Sequence, residues 1–233
     1  MKKILISAFI VVLVLPGLQA QRRNGLIGRR IQSMGAITFS IGPGVCLGDA
    51  GSSKSVGSYF NNTFVDGIHN FDMALGFRHI LQNGFSYKAD FEYGNYSGSD
   101  KNTNLEDRNF SNISNVIEFS GRGEYSYYFG SRYSRTLPHS IYGFAGVGVL
   151  NSFTKYTGSY QLLFGEELSP AFAAFIPYGI GYQYQLTPEF TIGVELGGQY
   201  AISDYVDGFH SKDWSKSNDI LGNLKFTVAY KIF

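Results

Sequence analysis

A two-residue beat runs through most of this chain and returns up to its final residues. From Phe85 to Tyr93 every odd position is Phe, Tyr or Ala, and the even positions between them are Ser86, Lys88, Asp90 and Glu92. The same rhythm sets Ile117, Phe119, Tyr125 and Tyr127 against Glu118, Ser120, Arg122, Glu124 and Ser126. Successive side chains of a β-strand point to opposite faces, so each such segment has one apolar face and one polar or charged face. Two architectures satisfy that pattern. In a soluble sandwich or barrel the apolar face is the core and the polar face meets water. In an outer-membrane barrel the apolar face meets lipid and the polar face lines the lumen.

The N-terminus favours the membrane barrel. Lys2 and Lys3 precede an unbroken apolar run, Ile4 to Leu15, followed by Pro16, Gly17 and the small-residue end Leu18-Gln19-Ala20. This pattern predicts a secretory signal peptide over residues 1–20, cleaved after Ala20. As a transmembrane anchor the run is short for a bilayer, and its end has the character of a cleavage site. No Cys follows that site, so the signal is not of the lipoprotein type. The mature chain is expected to be exported, with a basic segment over residues 21–34 and the barrel over residues 35–233.

Composition narrows the options further. Aromatic residues make up 16% of the chain and Gly contributes 29 residues, whereas Cys occurs once. No later stretch is long and apolar enough for a membrane helix, yet alternation hides lipid contact from a hydropathy average, here −0.07. A net charge of +1 gives no basis for nucleic-acid binding. One Cys excludes an internal disulfide framework, so the sheet itself must stabilise the domain.

The pattern predicts eight antiparallel strands. They run Gly35 to Val45, Phe71 to Ile80, Phe85 to Tyr96, Asn115 to Phe129, Ile141 to Leu150, Phe175 to Leu186, Phe190 to Ile202 and Leu221 to Ile232. Gln82-Asn83-Gly84 joins the second and third, its Asn-Gly pair supplying the positive φ of a tight hairpin. The fifth is ambiguous because both of its faces are apolar or Gly. Connections alternate in length. The long ones, Cys46 to Asn70, Ser97 to Ser114, Asn151 to Ala174 and Ser203 to Ile220, are rich in Ser, Asn, Asp, Gly and Lys. Short turns on one side and long loops on the other are the pattern of outer-membrane barrels with both termini in the periplasm. Aromatic belts are expected at Tyr125, Tyr127, Tyr182, Tyr184, Phe190 and Tyr230 on the short-turn side, and at Tyr93, Tyr96 and Tyr200 on the other. The close of the chain, Tyr230-Lys231-Ile232-Phe233, is similar to the aromatic C-terminal signal of such barrels, although alternation aligns Ile232 rather than Phe233 with Tyr230.

Parity places Asp72, Arg78, Lys88, Asp90, Glu92, Glu118, Arg122, Glu124, Glu195 and Lys225 inside. An eight-stranded barrel is only wide enough for side chains to fill, so these charges are expected to neutralise one another as a plug rather than line a pore. No catalytic residue, cofactor site or metal site emerges. The Gly-x-Ser-x-Gly elbow and metal-spaced His/Cys/Asp clusters do not occur. His139 and Ser140, adjacent on a strand, point apart; His69 and His210 fall in or beside loops. Asp204, Asp207 and Asp213 lack the calcium-loop spacing. Two features carry binding readings beside blander ones. Arg22, Arg23, Arg29 and Arg30, with Leu26 and Ile27 as an anchor, form either a solvated tail or a docking arm for an acidic periplasmic partner. Cys46 is either a small enclosed side chain or one half of an intermolecular disulfide.

Several segments, in order, resemble the PorG family of the type IX secretion system, small outer-membrane barrels of Bacteroidota. They are Leu47-Gly48-Asp49, Tyr142-Gly143-Phe144-Ala145-Gly146-Val147-Gly148, Ile176-Pro177-Tyr178-Gly179-Ile180-Gly181, Gly193-Val194-Glu195-Leu196-Gly197 and Ser203-Asp204-Tyr205-Val206-Asp207. Where the family has Tyr before Leu-Gly-Asp this chain has Cys46, so the resemblance assigns the thiol no role. It implies a non-enzymatic component, embedded in outer-membrane lipid, that links a periplasmic ring of PorK-like lipoprotein and PorN-like subunits to the outer membrane.

Overall fold

The computed structural model describes residues 34–47, 70–81, 84–99, 111–129, 139–157, 166–167, 170–203, 206, 209–210 and 220–232. Eight strands close into one antiparallel barrel: β1 (Met34–Leu47), β2 (Phe71–Ile80), β3 (Phe85–Ser99), β4 (Ser111–Phe129), β5 (His139–Thr157), β6 (Ala171–Gln185), β7 (Phe190–Ala201) and β8 (Ile220–Lys231). Every strand pairs with its neighbours in sequence, and β1 meets β8 to close the ring, Ile37 opposite Tyr230 and Ile41 opposite Phe226. Closure leaves no strand edge unpaired, which a bilayer demands because it offers no water to the backbone.

The alternation sorts as its physics requires. Phe39, Leu75, Phe77, Phe91, Phe119, Ile180, Leu196 and Phe226 are exposed on the outer wall, where a soluble protein would place polar groups. All ten inward charges predicted from parity are no more than 7% exposed. The greasy surface is therefore the outside, and the chain is a transmembrane barrel rather than a soluble sandwich. Near the short turns the wall carries a girdle of ring pairs. Phe85 packs against Tyr125 at 4.8 Å, Phe190 against Tyr230 at 4.9 Å, and His79 stacks on Tyr87 at 5.0 Å.

The second hairpin forms as expected. Gly84 has φ +85°, and Leu81 N–H donates to the Phe85 carbonyl at 2.8 Å. Several strand ends extend beyond the expectation, and three of them do so by four residues or more. β4 begins at Ser111 rather than Asn115, β5 ends at Thr157 rather than Leu150, and β6 begins at Ala171 rather than Phe175. The polar residues that suggested loops continue the ladder, because inward hydroxyls find partners there: Ser114 and Thr154 bond at 2.8 Å. Inside the long connections a further two-residue ladder pairs Glu166–Glu167 with Phe209–His210. Segments that short carry no periodic signal of their own.

Candidate functional site in the barrel lumen

Three layers of side chains fill the lumen. Nearest the short turns, Arg78, Lys88 and Arg122 face Asp90, Glu124 and Glu195. Arg78 Nε lies 2.7 Å from Glu124 Oε2, and Arg78 Nη1 donates to Gln183 Oε1 at 3.1 Å. Arg122 bridges two acids, donating from Nη2 to Glu195 Oε1 at 2.7 Å and from Nε to Glu124 Oε1 at 3.0 Å. Lys88 Nζ sits 2.9 Å from Asp90 Oδ1. Three cations against three carboxylates balance this layer, which offsets the cost of holding charge away from water.

Strand β5 supplies the aromatic part of the same layer and resolves its own ambiguity. Tyr142 and Phe144 point inward, whereas Gly143, Ala145 and Val147 face out. Tyr142 donates its hydroxyl proton to Glu195 Oε1 at 2.6 Å. The Arg122 guanidinium lies 4.0 Å from the Phe144 ring centroid, a cation–π contact in a desolvated setting. Room for the rings comes from the neighbouring strand β6, where Tyr142 is in register with Gly181 and Phe144 with Gly179: a Cβ on Gly181 would fall 2.3 Å from Tyr142 Cζ, and one on Gly179 2.6 Å from Phe144 Cζ.

The middle layer is unbalanced. Among the described residues, Asp72, Glu92 and Glu118 lie in a layer with one cation, Lys225, which is paired with Glu92 and lies 3.2 Å from Asp72 Oδ2. Asn223 donates to Asp72 Oδ2 at 2.9 Å and Gln199 to Glu92 Oε1 at 3.2 Å. Neither carboxyl oxygen of Glu118 has a hydrogen-bond partner among the described residues. The outermost layer is apolar: Tyr96, Val116, Leu150, Ala173, Phe175, Ala201 and Leu221 meet Val206, a loop residue that is 1% exposed. Ser152 Oγ donates to the Val206 carbonyl at 2.6 Å and holds it there. Tyr96 therefore belongs to this cap and not to an aromatic belt. It shares the inward parity of Glu92, which its position near a strand end had masked.

Together the three layers fill the lumen as a plug of side chains. Among the described residues no group of His, Cys, Asp and Glu is placed to hold a metal. His79 stacks on the outer wall, and His139, tilted against Tyr184 at 5.7 Å, points away from buried Ser140. Of the residues singled out for binding, Arg22, Arg23, Leu26, Ile27, Arg29 and Arg30 lie outside the described residues, as do His69, Asp204, Asp207 and Asp213. Cys46 is on β1, in register with Leu221, and its side chain lies outside the description. The apolar cap and the charge imbalance of the middle layer were not anticipated. Parity alone was the signal that bore on them, at Tyr96, Val116 and Leu150.

Comparison with known proteins agrees with the fold. No curated protein matches the chain. Among solved structures, a major outer-membrane protein from Thermus thermophilus is 12% identical, with a TM-score of 0.51 over 86% of this chain and 99% of that one. Ail, the attachment invasion locus protein of Yersinia pestis, is 13% identical with a TM-score of 0.48, covering 87% of this chain and all of that one (100%). Neisserial surface protein A is also 13% identical with a TM-score of 0.48, over 85% of this chain and 97% of that one. At such identity the likeness to the Thermus protein is one of architecture. A family model spans residues 37–233, nearly the whole barrel from the first strand to the final residue, and the chain belongs to that family, the domain of unknown function DUF6089.

Proposed function

We propose that this protein is a non-enzymatic outer-membrane component of a type IX protein secretion machine, docking a periplasmic ring of PorK-like lipoprotein and PorN-like subunits to the outer membrane. The filled lumen carries the reading: a barrel plugged by charge at its centre and by apolar side chains at one mouth works through its surfaces. The resemblance to PorG-type barrels supplies the partner. On this reading residues 1–20 are a removed signal peptide, both termini and the short turns face the periplasm, and the segment 21–34 is the docking arm. An intermolecular disulfide through Cys46 belongs to this proposal as a contact on the long-loop side, where Cys46 is in register with Leu221 near the end of β1, and not at the periplasmic ring.

The test is purification of the tagged protein from its own outer membrane in mild detergent, with and without reductant. Recovery of a ring lipoprotein and its companion is the expected result. Neutralising Arg22, Arg23, Arg29 and Arg30 together should lower that recovery while the barrel stays folded. A barrel recovered alone overturns the adaptor. It favours a second reading, in which the outer loops bind surface or host ligands. That reading draws on the strands β4 and β5, 19 residues each, and on the ladder that ties two outer connections together.

A further inference from the structure

The lumen differs at its two ends. Among the described residues, the long-loop mouth is filled by the apolar cap and Val206, whereas the short-turn mouth holds a cup of mixed lining, with Ile80 and Tyr128 beside hydroxyls, amides and two cations. Arg78 and Lys231 line it together with Ser86, Ser126, Ser140, Gln183 and Thr191. Ala36, Gly84 and Ala229 also line it and keep its volume free of side chains.

Charge and hydrogen-bond chemistry select what fits there. Among the described lining residues two are cationic and none is acidic. Glu124 neutralises Arg78 from below, 2.7 Å away. Lys231 has no ion pair within 4 Å among the described residues, and its acidic neighbour at longer range, Glu189, is exposed in the β6–β7 turn. Ser86 donates to Glu124 Oε2 at 3.1 Å and Gln183 Nε2 to Ser140 Oγ at 2.8 Å, which leaves the hydroxyls of Ser126, Ser140 and Thr191 as the neutral groups able to donate to an oxyanion. Half-buried and flanked by donors, an ammonium interacts more strongly with a carboxylate than a fully solvated lysine does.

We propose that the cup is a socket for an acidic peptide segment, which inserts a carboxylate against Lys231 from the short-turn side. The identity of that segment rests on the adaptor reading: the periplasmic ring partner supplies it, so the barrel holds its partner from within the lumen mouth as well as through the basic arm. The occupant comes from a protein and not from lipid, because the cup opens along the barrel axis, whereas the outer wall alone meets the bilayer.

The experiment uses the folded full-length mature protein in detergent and a fluorescent hexaglutamate peptide, with its hexaglutamine counterpart as control. Anisotropy reads binding at low and high salt. Lys231→Glu is expected to weaken hexaglutamate binding about tenfold, Lys231→Arg to preserve it, and hexaglutamine to bind neither form. Arginines of residues 21–34 act alike on wild type and variant, so the difference reports the cup. A second variant, Thr191→Glu, adds an acid to the same wall without touching Lys231 and is expected to act in the same direction. The unheated gel mobility of each variant verifies that the barrel is closed. Equal hexaglutamate binding by wild type, Lys231→Glu and Thr191→Glu overturns the socket, as does equal affinity for the two peptides. Recovery of the ring partner from native membranes is a separate readout: its loss in wild type overturns the adaptor while leaving the cup's preference for acidic peptide measurable.

Discussion

Glu195 and Glu118 are both buried lumen carboxylates, and they are expected to respond in opposite ways to the same change. Glu195 accepts from Arg122 and Tyr142, so Glu195→Gln leaves three buried cations facing two carboxylates, with Arg122 keeping only Glu124 and the more distant Asp90. It is expected to destabilise the barrel by ~3–5 kcal/mol, measured by urea unfolding in lipid vesicles. Glu118 shares one lysine with two other acids and has no hydrogen-bond partner among the described residues, so Glu118→Gln is expected to be neutral or stabilising in the same assay. A large loss from Glu118→Gln would refute the division of the lumen into a balanced and an acid-rich layer. Glycines divide similarly by face. Gly181→Ala would drive its Cβ into a Tyr142 ring pinned by Glu195, an overpacking expected to cost ~1–3 kcal/mol. Outward Gly121 has open space where its Cβ would sit, so Gly121→Ala should leave unfolding unchanged.

At the level of elements, the β2–β3 hairpin depends on its turn. Gly84 at φ +85° occupies backbone space that an L side chain enters at a cost of ~1–2 kcal/mol, and a Cβ there would meet the Ser126 carbonyl at 2.5 Å. Gly84→Ala is expected to destabilise the barrel by at least that amount and to slow its insertion into vesicles, followed by the shift in unheated gel mobility. This element was legible in the sequence, because Asn-Gly between two alternating runs has a single structural meaning. The ends of β4, β5 and β6 were not. Ser111, Ser152 and Thr154 look like loop composition, and they remain in the ladder because the neighbouring strand gives their backbones partners and, for Thr154, a hydroxyl partner in Ser114. Strand β5 shows the same limit from the other side: with Gly and apolar residues on both faces, its orientation was set by which neighbour left a void for Tyr142 and Phe144.

Across the whole molecule, a lumen filled in three layers predicts that the purified wild-type protein in planar bilayers stays electrically silent; steady stepwise conductance at moderate voltage would refute the plug. The sequence by itself determined the barrel, because an alternation of period two with apolar residues on one face and ten charges on the other admits few ways to bury both. It also determined which charges face inward, since parity is local and survives any tertiary arrangement. Tertiary structure alone decided how those charges pair. Arg122 meets Glu195 across 73 residues, and Lys225 meets Glu92 across 133. It also decided that, among the described residues, Val206 fills one mouth while a cup lined by Lys231 lies at the other. The physical reason is separation in scale: a side chain's face follows from its own strand, whereas its partner depends on the register and stagger of all eight strands once the ring has closed.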